Sequence, residues 1–383
     1  MTETQTSDRR FVDADMTLAR QQGRWSAFWD QFRENRMAVA GLVIFAAFFA
    51  AALAGLALTS GADPVLNPST IRLREKLRPP LSAASHGALR PEQMPAGGRY
   101  LLGTDDLGRD VFARMMQGAW VSLTVGFVAV GISIAIGIFL GGIAGYYGQT
   151  TVALHHVMGV LLPLAGMILA GSATAAGLLM AVAGIIWLIA GVLLPDSPGP
   201  VKALTVPLMT VDALIMRLVD IMLCFPSFFL ILTVVALLPA SLYNIMIVIG
   251  LTSWMGTTRF VRAEFLSLRE QDFVAAARAL GVNELHIIFL HMMPNAIAPV
   301  LVSATLGIAS AILTEAGLSF LGFGVPPPHA TWGNILSDGK RFIFDAPWLT
   351  FAPGIVILLV VLAFNLFGEG LRDVLNPRLR ERH

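Results

Sequence analysis

Stretches of around twenty residues with almost no charge recur along this chain. Each is long enough for a helix to cross a hydrocarbon core of about 30 Å. Charged residues make up only 13% of the sequence and hydrophobic ones 56%, against roughly 25% and 45–50% in soluble domains. The bilayer is therefore the expected solvent for most of the fold. The first apolar stretch follows some 37 residues that mix Arg9, Arg10, Arg20 and Arg24 with Asp13 and Asp15. Acids do not belong in the head of a cleavable signal peptide, so the stretch reads as a retained span.

The spans are expected at about Ala38 to Leu58, Gly118 to Gly145, Ile215 to Leu238, Leu242 to Phe260, Pro294 to Glu315 and Trp348 to Leu366. Between the second and third, Ala153 to Leu194 is almost continuously apolar. As one helix it would measure about 60 Å, twice the hydrocarbon thickness. A helical hairpin turning near Gly171 to Thr174 is the economical reading, followed by a connector rich in proline (Pro195, Pro198, Pro200, Pro207). About eight spans result, an even number that puts both ends of the chain on one side. Arginines in the N-terminal arm, in the 259 to 278 loop and in the tail (Arg372, Arg378, Arg380, Arg382) assign that side to the cytoplasm of a plasma membrane.

The expected organisation is a cytoplasmic arm over 1–37, a first span over 38–58, an external loop over 59–117 and a second span over 118–148. The inserted hairpin and connector occupy 150–209. A core over 210–371 holds a cytoplasmic loop at 270–294, and a cytoplasmic tail fills 372–383. Cys224, the one cysteine, lies in an apolar run and reads as core. Arg217 and Asp220, three apart on a helix, can pair on one face. Those two and Glu315 fall near span ends, where long side chains reach water. The prolines at 326–328, with Trp332 and Trp348, suggest an external cap with aromatic anchors. His155 with His156, and His286 with His291, match no metal spacing on a rigid site and read as interfacial.

The segment from Gln271, QDFVAAARALGVNELHIIFLHMMPN, is too polar at its start to span and too helical to be a plain connector. Ala275, Ala276, Ala277 and Ala279 give a first short helix a small-residue surface, and Gly281 suits the left-handed position that ends it. Leu285, Ile288, Phe289 and Met292 then form an apolar stripe at helical spacing, leading into Pro294. From the residues alone, an interfacial joint and a docking surface for another protein are equally good readings.

The spacing Ala276, Ala277, Gly281, Pro294 resembles the EAA loop of ABC importer permeases. More specifically, the chain is similar to the C-type permease of the dipeptide, oligopeptide and nickel importers. RENRMAVAGLVIF from Arg33, LGTDDLGRDVFARMMQGAWVSL from Leu102, DALIMRLVDI from Asp212, the run from Pro294 to Gly339 and GEGLRDVLNPRLR from Gly368 carry that similarity. It covers nearly everything except roughly 150–209. The resemblance implies an all-α polytopic bundle with a six-helix core, to which the hairpin adds two spans. It also implies an importer assembled from a second permease, two cytoplasmic ATP-binding subunits that hold ATP and Mg, and an external solute-binding protein, this chain itself holding no cofactor. Asp272, Ala276, Ala277, Arg278, Gly281 and Pro294 are then the expected ATPase-coupling residues. The family's usual glutamate is replaced by Ala275. The chain has no HExxH, GxSxG or Walker A pattern, so the resemblance implies a transport subunit and not an enzyme. A secondary transporter is the alternative, although midplane acids and repeat symmetry are weak here.

Overall fold

The computed structural model describes residues 29, 32–61, 63–85, 89, 93–153 and 207–375. The N-terminal arm, the apolar hairpin with most of its connector, and the tail beyond 375 lie outside the described residues. What is described is mainly helical, with two short antiparallel strand pairs that the all-α expectation omitted: β1 (Ser82–Ala83) with β2 (Arg99–Tyr100), and β3 (Thr151–Ala153) with β4 (Pro207–Thr210).

Four described helices are long and apolar enough to cross a bilayer: α1 (Arg36–Thr59), α2 (Val111–Tyr146), α8 (Glu284–Phe320) and α10 (Trp348–Leu375). The helices α3 (Val211–Leu223) and α4 (Ser227–Leu237) make a fifth candidate if a broken pair counts as one span. The expected single span from Ile215 to Leu238 is thus interrupted. Pro226 cannot donate a backbone hydrogen bond, and α4 restarts directly after it. The expected span from Leu242 to Phe260 is likewise two helices, α5 (Leu242–Leu251) and α6 (Trp254–Arg269). Thr252 and Ser253 turn their hydroxyls back onto the carbonyls of Val248 and Ile249 and end α5 there. Cys224, expected in the core, is exposed at the first of these breaks.

The described residues form two compact units, the first made of those up to Ile136, Pro226–Thr257 and those from Ala296 onward, the second of those within 137–225 and Thr258–Asn295. In the first, α1 lies along α10. Asn35 caps α1 by accepting from Met37 and Ala38, and its amide donates to Asp373 at 3.1 Å. Gly41 lets the backbones close: a Cβ there would sit 2.6 Å from the Phe367 nitrogen. Gly250 of α5 meets the backbone of α2 in the same way, 2.8 Å from the Ala129 carbonyl. Without a hydrophobic drive between helices in lipid, such close approaches supply the packing.

Ahead of α2, the 59–117 stretch is folded around buried charge. Asp105, fully buried, accepts Arg109 Nε and Arg114 Nη1 on one oxygen, both at 2.7 Å, and the amides of Leu107 and Arg109 on the other. Both arginines also reach Asp338, which lies in the last turn of α9 (Trp332–Gly339). Trp332, expected as an external anchor, is instead buried and donates to the Met115 carbonyl at 3.2 Å. Trp348 donates to Thr104. Glu315 does not reach water as expected: it is wholly buried, its carboxylate accepting from Ser319 at 2.7 Å.

In the second unit the last turns of α2 rest on α6, with Gly141 against the Thr258 carbonyl and Gly145 against Phe265. Arg262 of α6 grips Asp212 at the start of α3 through Nε and Nη2. The expected Arg217–Asp220 pair does not form. Asp220 pairs with Arg259 of α6 at 2.6 Å, and Arg217 is in none of the ion pairs among the described residues. Strands β3 and β4, with Thr151 opposite Thr210, bring together the two ends of the 154–206 segment.

Candidate coupling loop

The loop at 270–294 belongs to the second unit. Its first helix, α7 (Asp272–Ala279), forms because alanine loses least on entering a helix and because Asp272 and Arg278 sit at the dipole ends that suit their charges. It ends in a Schellman turn: Val282 donates to the Ala277 carbonyl at 3.1 Å, and Gly281 to that of Arg278 at 2.9 Å. Gly281 has φ of 72°, the left-handed conformation that favours glycine.

The expected set divides by burial. Asp272, Ala276, Arg278, Gly281 and Pro294 are exposed, whereas Ala277 turns inward with Val274. Two large apolar side chains that the sequence reading did not single out flank the exposed alanines, Phe273 and the strongly exposed Leu280. Neither had a signal in the sequence, since one apolar residue in a short helix looks the same whether it faces in or out.

The second arm departs from regular α-helix. Asn283 caps it by accepting from Leu285, and Ile287–Met292 then form a π turn in which Met293 donates back five residues to Ile288. The cause lies just beyond. Pro294 has no N–H for the Leu290 carbonyl, and its ring crowds an α turn there. The wider turn relieves that contact, and the Asn295 amide satisfies the His291 carbonyl at 2.6 Å. Widening also changes the register of the apolar stripe. Ile287, Ile288 and Met292 are buried, while Leu285 and Phe289, expected on the same face, are exposed.

The loop is tied to the end of α2. Arg278 lies over the Tyr146 ring, 5.2 Å from its centre. Burial, then the neighbouring Glu284 carboxylate, raise the Tyr147 phenol above its usual pKa. His286 and His291 place their rings 5.8 Å apart. Among the described residues no cluster of three His, Cys, Asp or Glu side chains is placed to hold a metal.

Comparison with known proteins adds the following. Residues 203–381 match the family described as "Binding-protein-dependent transport system inner membrane component", and residues 23–80 match "N-terminal TM domain of oligopeptide transport permease C". The dipeptide transport system permease protein of Alkalihalophilus pseudofirmus is 36% identical over 356 residues, 93% of this chain and 90% of that one. The dipeptide permease protein of Haemophilus influenzae is 33% identical over 92% of this chain and 95% of its own. The oligopeptide permease protein of Bacillus subtilis is 29% identical over 96% and 94%.

Proposed function

We infer a function from one premise: the chain belongs to the inner-membrane permeases of binding-protein-dependent ABC importers, in the branch of the dipeptide and oligopeptide permeases. It is a multi-pass transport subunit. Its cargo is peptides of a few residues, a reading supported by the printed names of its relatives. It pairs with a second permease, receives solute from a binding protein outside, and is driven by two partner subunits that bind and hydrolyse ATP with Mg. The core has six spans and the 150–209 insertion adds two. The 59–117 stretch faces outward, and both ends of the chain, 1–37 and 372–383, face the cytoplasm.

The observation that carries the docking site is the exposed face of the loop. Ala276 and Gly281 leave a small-residue surface between Phe273 and Leu280, with Asp272 at its edge. A partner's backbone can approach such a surface closely, and its two apolar flanks are the exposed kind that mark protein contacts. Ala277 supports the face from beneath, and Pro294 sets the π turn that aims the second arm. Closure of the ATP-bound partners then pushes a rigid element, and the differential contact between their open and closed states biases the permease between its two access states.

The test is Gly281→Arg in the assembled importer. Arginine at φ of 72° is strained and fills the small face, so ATP hydrolysis should continue while peptide uptake falls, with membrane insertion unchanged. Unaltered uptake would place the docking site elsewhere. Uptake that persists when ion gradients are collapsed separates this mechanism from an ion-coupled carrier.

A further inference from the structure

Both arms of the coupling loop fasten to one spot. At the end of α7 the Arg278 guanidinium lies over the Tyr146 ring and makes none of the ion pairs found among the described residues. Where α8 starts, Glu284 faces the Tyr147 hydroxyl. The two tyrosine rings meet edge to face with centres 4.9 Å apart. Arg269, closing α6, donates to the Tyr146 carbonyl at 3.4 Å.

Tyr146 is 5% exposed, and its buried hydroxyl has no hydrogen-bond partner among the described residues. Its ring, not its hydroxyl, is what the loop holds. A guanidinium over an aromatic face is attracted by the ring quadrupole, at an exposed site such as that of Arg278 as well as at a buried one. Tyr146 is also the last residue of α2, whose final turns are seated on α6 through Gly141 and Gly145. A pull on this ring therefore moves helix backbone and not merely a side chain.

Resting on the reading that the loop docks an ATPase, we propose that Arg278 is a positioning residue acting through Tyr146: with Glu284 on Tyr147, it delivers displacement of the loop to α2. The exposed face of α7 receives the push and the Tyr146–Tyr147 pair passes it on. Arg278 thus differs in role from Ala276 and Gly281, beside which the sequence placed it.

The experiment uses the complete importer in lipid vesicles, with radiolabelled dialanine as cargo, and reads ATP hydrolysed per dialanine taken up. Arg278→Gln and Tyr146→Leu should each raise that ratio roughly two- to fivefold, the range expected for losing one such contact. Tyr146→Phe keeps the ring and should leave it unchanged, and Arg278→Lys keeps the cation and should restore most of the coupling. The double variant Tyr146→Leu with Arg278→Gln should be no worse than either single one. Co-purification with the ATPase subunits should be unaffected throughout.

Unchanged ratios in both single variants would overturn the proposal. So would additive effects in the double variant, or ATPase subunits lost on Arg278→Gln, since either makes Arg278 a direct docking contact. Should Tyr146→Leu fail to assemble, Arg278→Gln at its exposed site with the lysine rescue decides the matter alone. A wild-type complex without ATP-dependent uptake of dialanine would remove the functional reading itself, and this inference with it. Uptake in the wild type with unmoved ratios in the variants removes this inference only.

Discussion

Replacing Asp105 by asparagine tests whether the buried charge network ahead of α2 holds that part of the fold together. One carboxylate oxygen takes the amides of Leu107 and Arg109, and the other takes Arg109 Nε and Arg114 Nη1. Asparagine keeps the shape and can still accept on one side, but its NH2 then confronts two donors on the other. Two charge-assisted bonds are lost, each about 1.5–3 kcal/mol, and breaking a buried ion pair costs about 3–5 kcal/mol. Asp338 still holds both arginines, Arg114 at 2.9 Å, but it is 38% exposed and so compensates weakly. The loss should lie near the lower end, about 3 kcal/mol, or roughly 4 °C in melting temperature for a chain of 383 residues at about 2.1 cal/mol/K of unfolding entropy per residue. Thermal unfolding of the purified protein in detergent measures it, with Asp338→Asn as a control costing under about 1 kcal/mol. If Asp105→Asn melts within a degree or two of the wild type, or Asp338→Asn does the greater damage, the network does not organise this region as argued.

Three further outcomes are expected. Burial, and then the charges of Asp105 and Asp338, raise the Asp106 carboxyl above its ordinary value. The folded chain therefore keeps this proton at pH values where the unfolded chain has lost it, so stability from this group falls as pH rises through that window. Asp106→Asn should melt higher than the wild type at pH 7, with the gain shrinking toward about pH 4, as a pair of pH–melting curves would show. Gly145→Leu drives a side chain into Phe265 and should cost about 1–3 kcal/mol, whereas Gly256→Ala, with open space around it, should be neutral or stabilising in the same melt. Arg259→Gln should cost under about 1 kcal/mol because its pair with Asp220 is half exposed, and Arg217→Gln should cost less, the reverse of what sequence spacing suggests.

That α1, α8 and α10 are long apolar helices was legible because membrane crossing depends on apolar content over some twenty consecutive residues, a local property, although α8 and α10 run well beyond the expected Pro294 to Glu315 and Trp348 to Leu366. Gly281 was legible for a similar reason: a short alanine helix needs a residue that tolerates positive φ to end it, and only glycine does so freely. Family membership was readable from motifs in order along the chain, which needs no coordinates. The breaks at Pro226 and at Thr252 were harder, since proline and hydroxyl residues also occur inside membrane helices whose neighbours satisfy the freed groups. The π turn before Pro294 escaped a reading that assumed one helical period throughout, and it moved Leu285 and Phe289 to the exposed side.

Side-chain partnerships were beyond the sequence altogether. Arg217 and Asp220 are three residues apart, yet Asp220 is taken by Arg259, 39 residues away. Trp332 looked like an interfacial anchor and Glu315 like a snorkelling acid, but both are buried against elements remote in sequence. Arg278 looked like a docking residue because it lies beside Ala277, and only the fold puts it over Tyr146. Apolar runs and motifs in order along the chain were enough to show that it lives in lipid and which importer family it joins. Tertiary structure alone decided which residues of the 270–294 loop are exposed and which lie against the end of α2, because a charge or ring finds its partner by distance in space, and spacing along one helix constrains only neighbours on that helix.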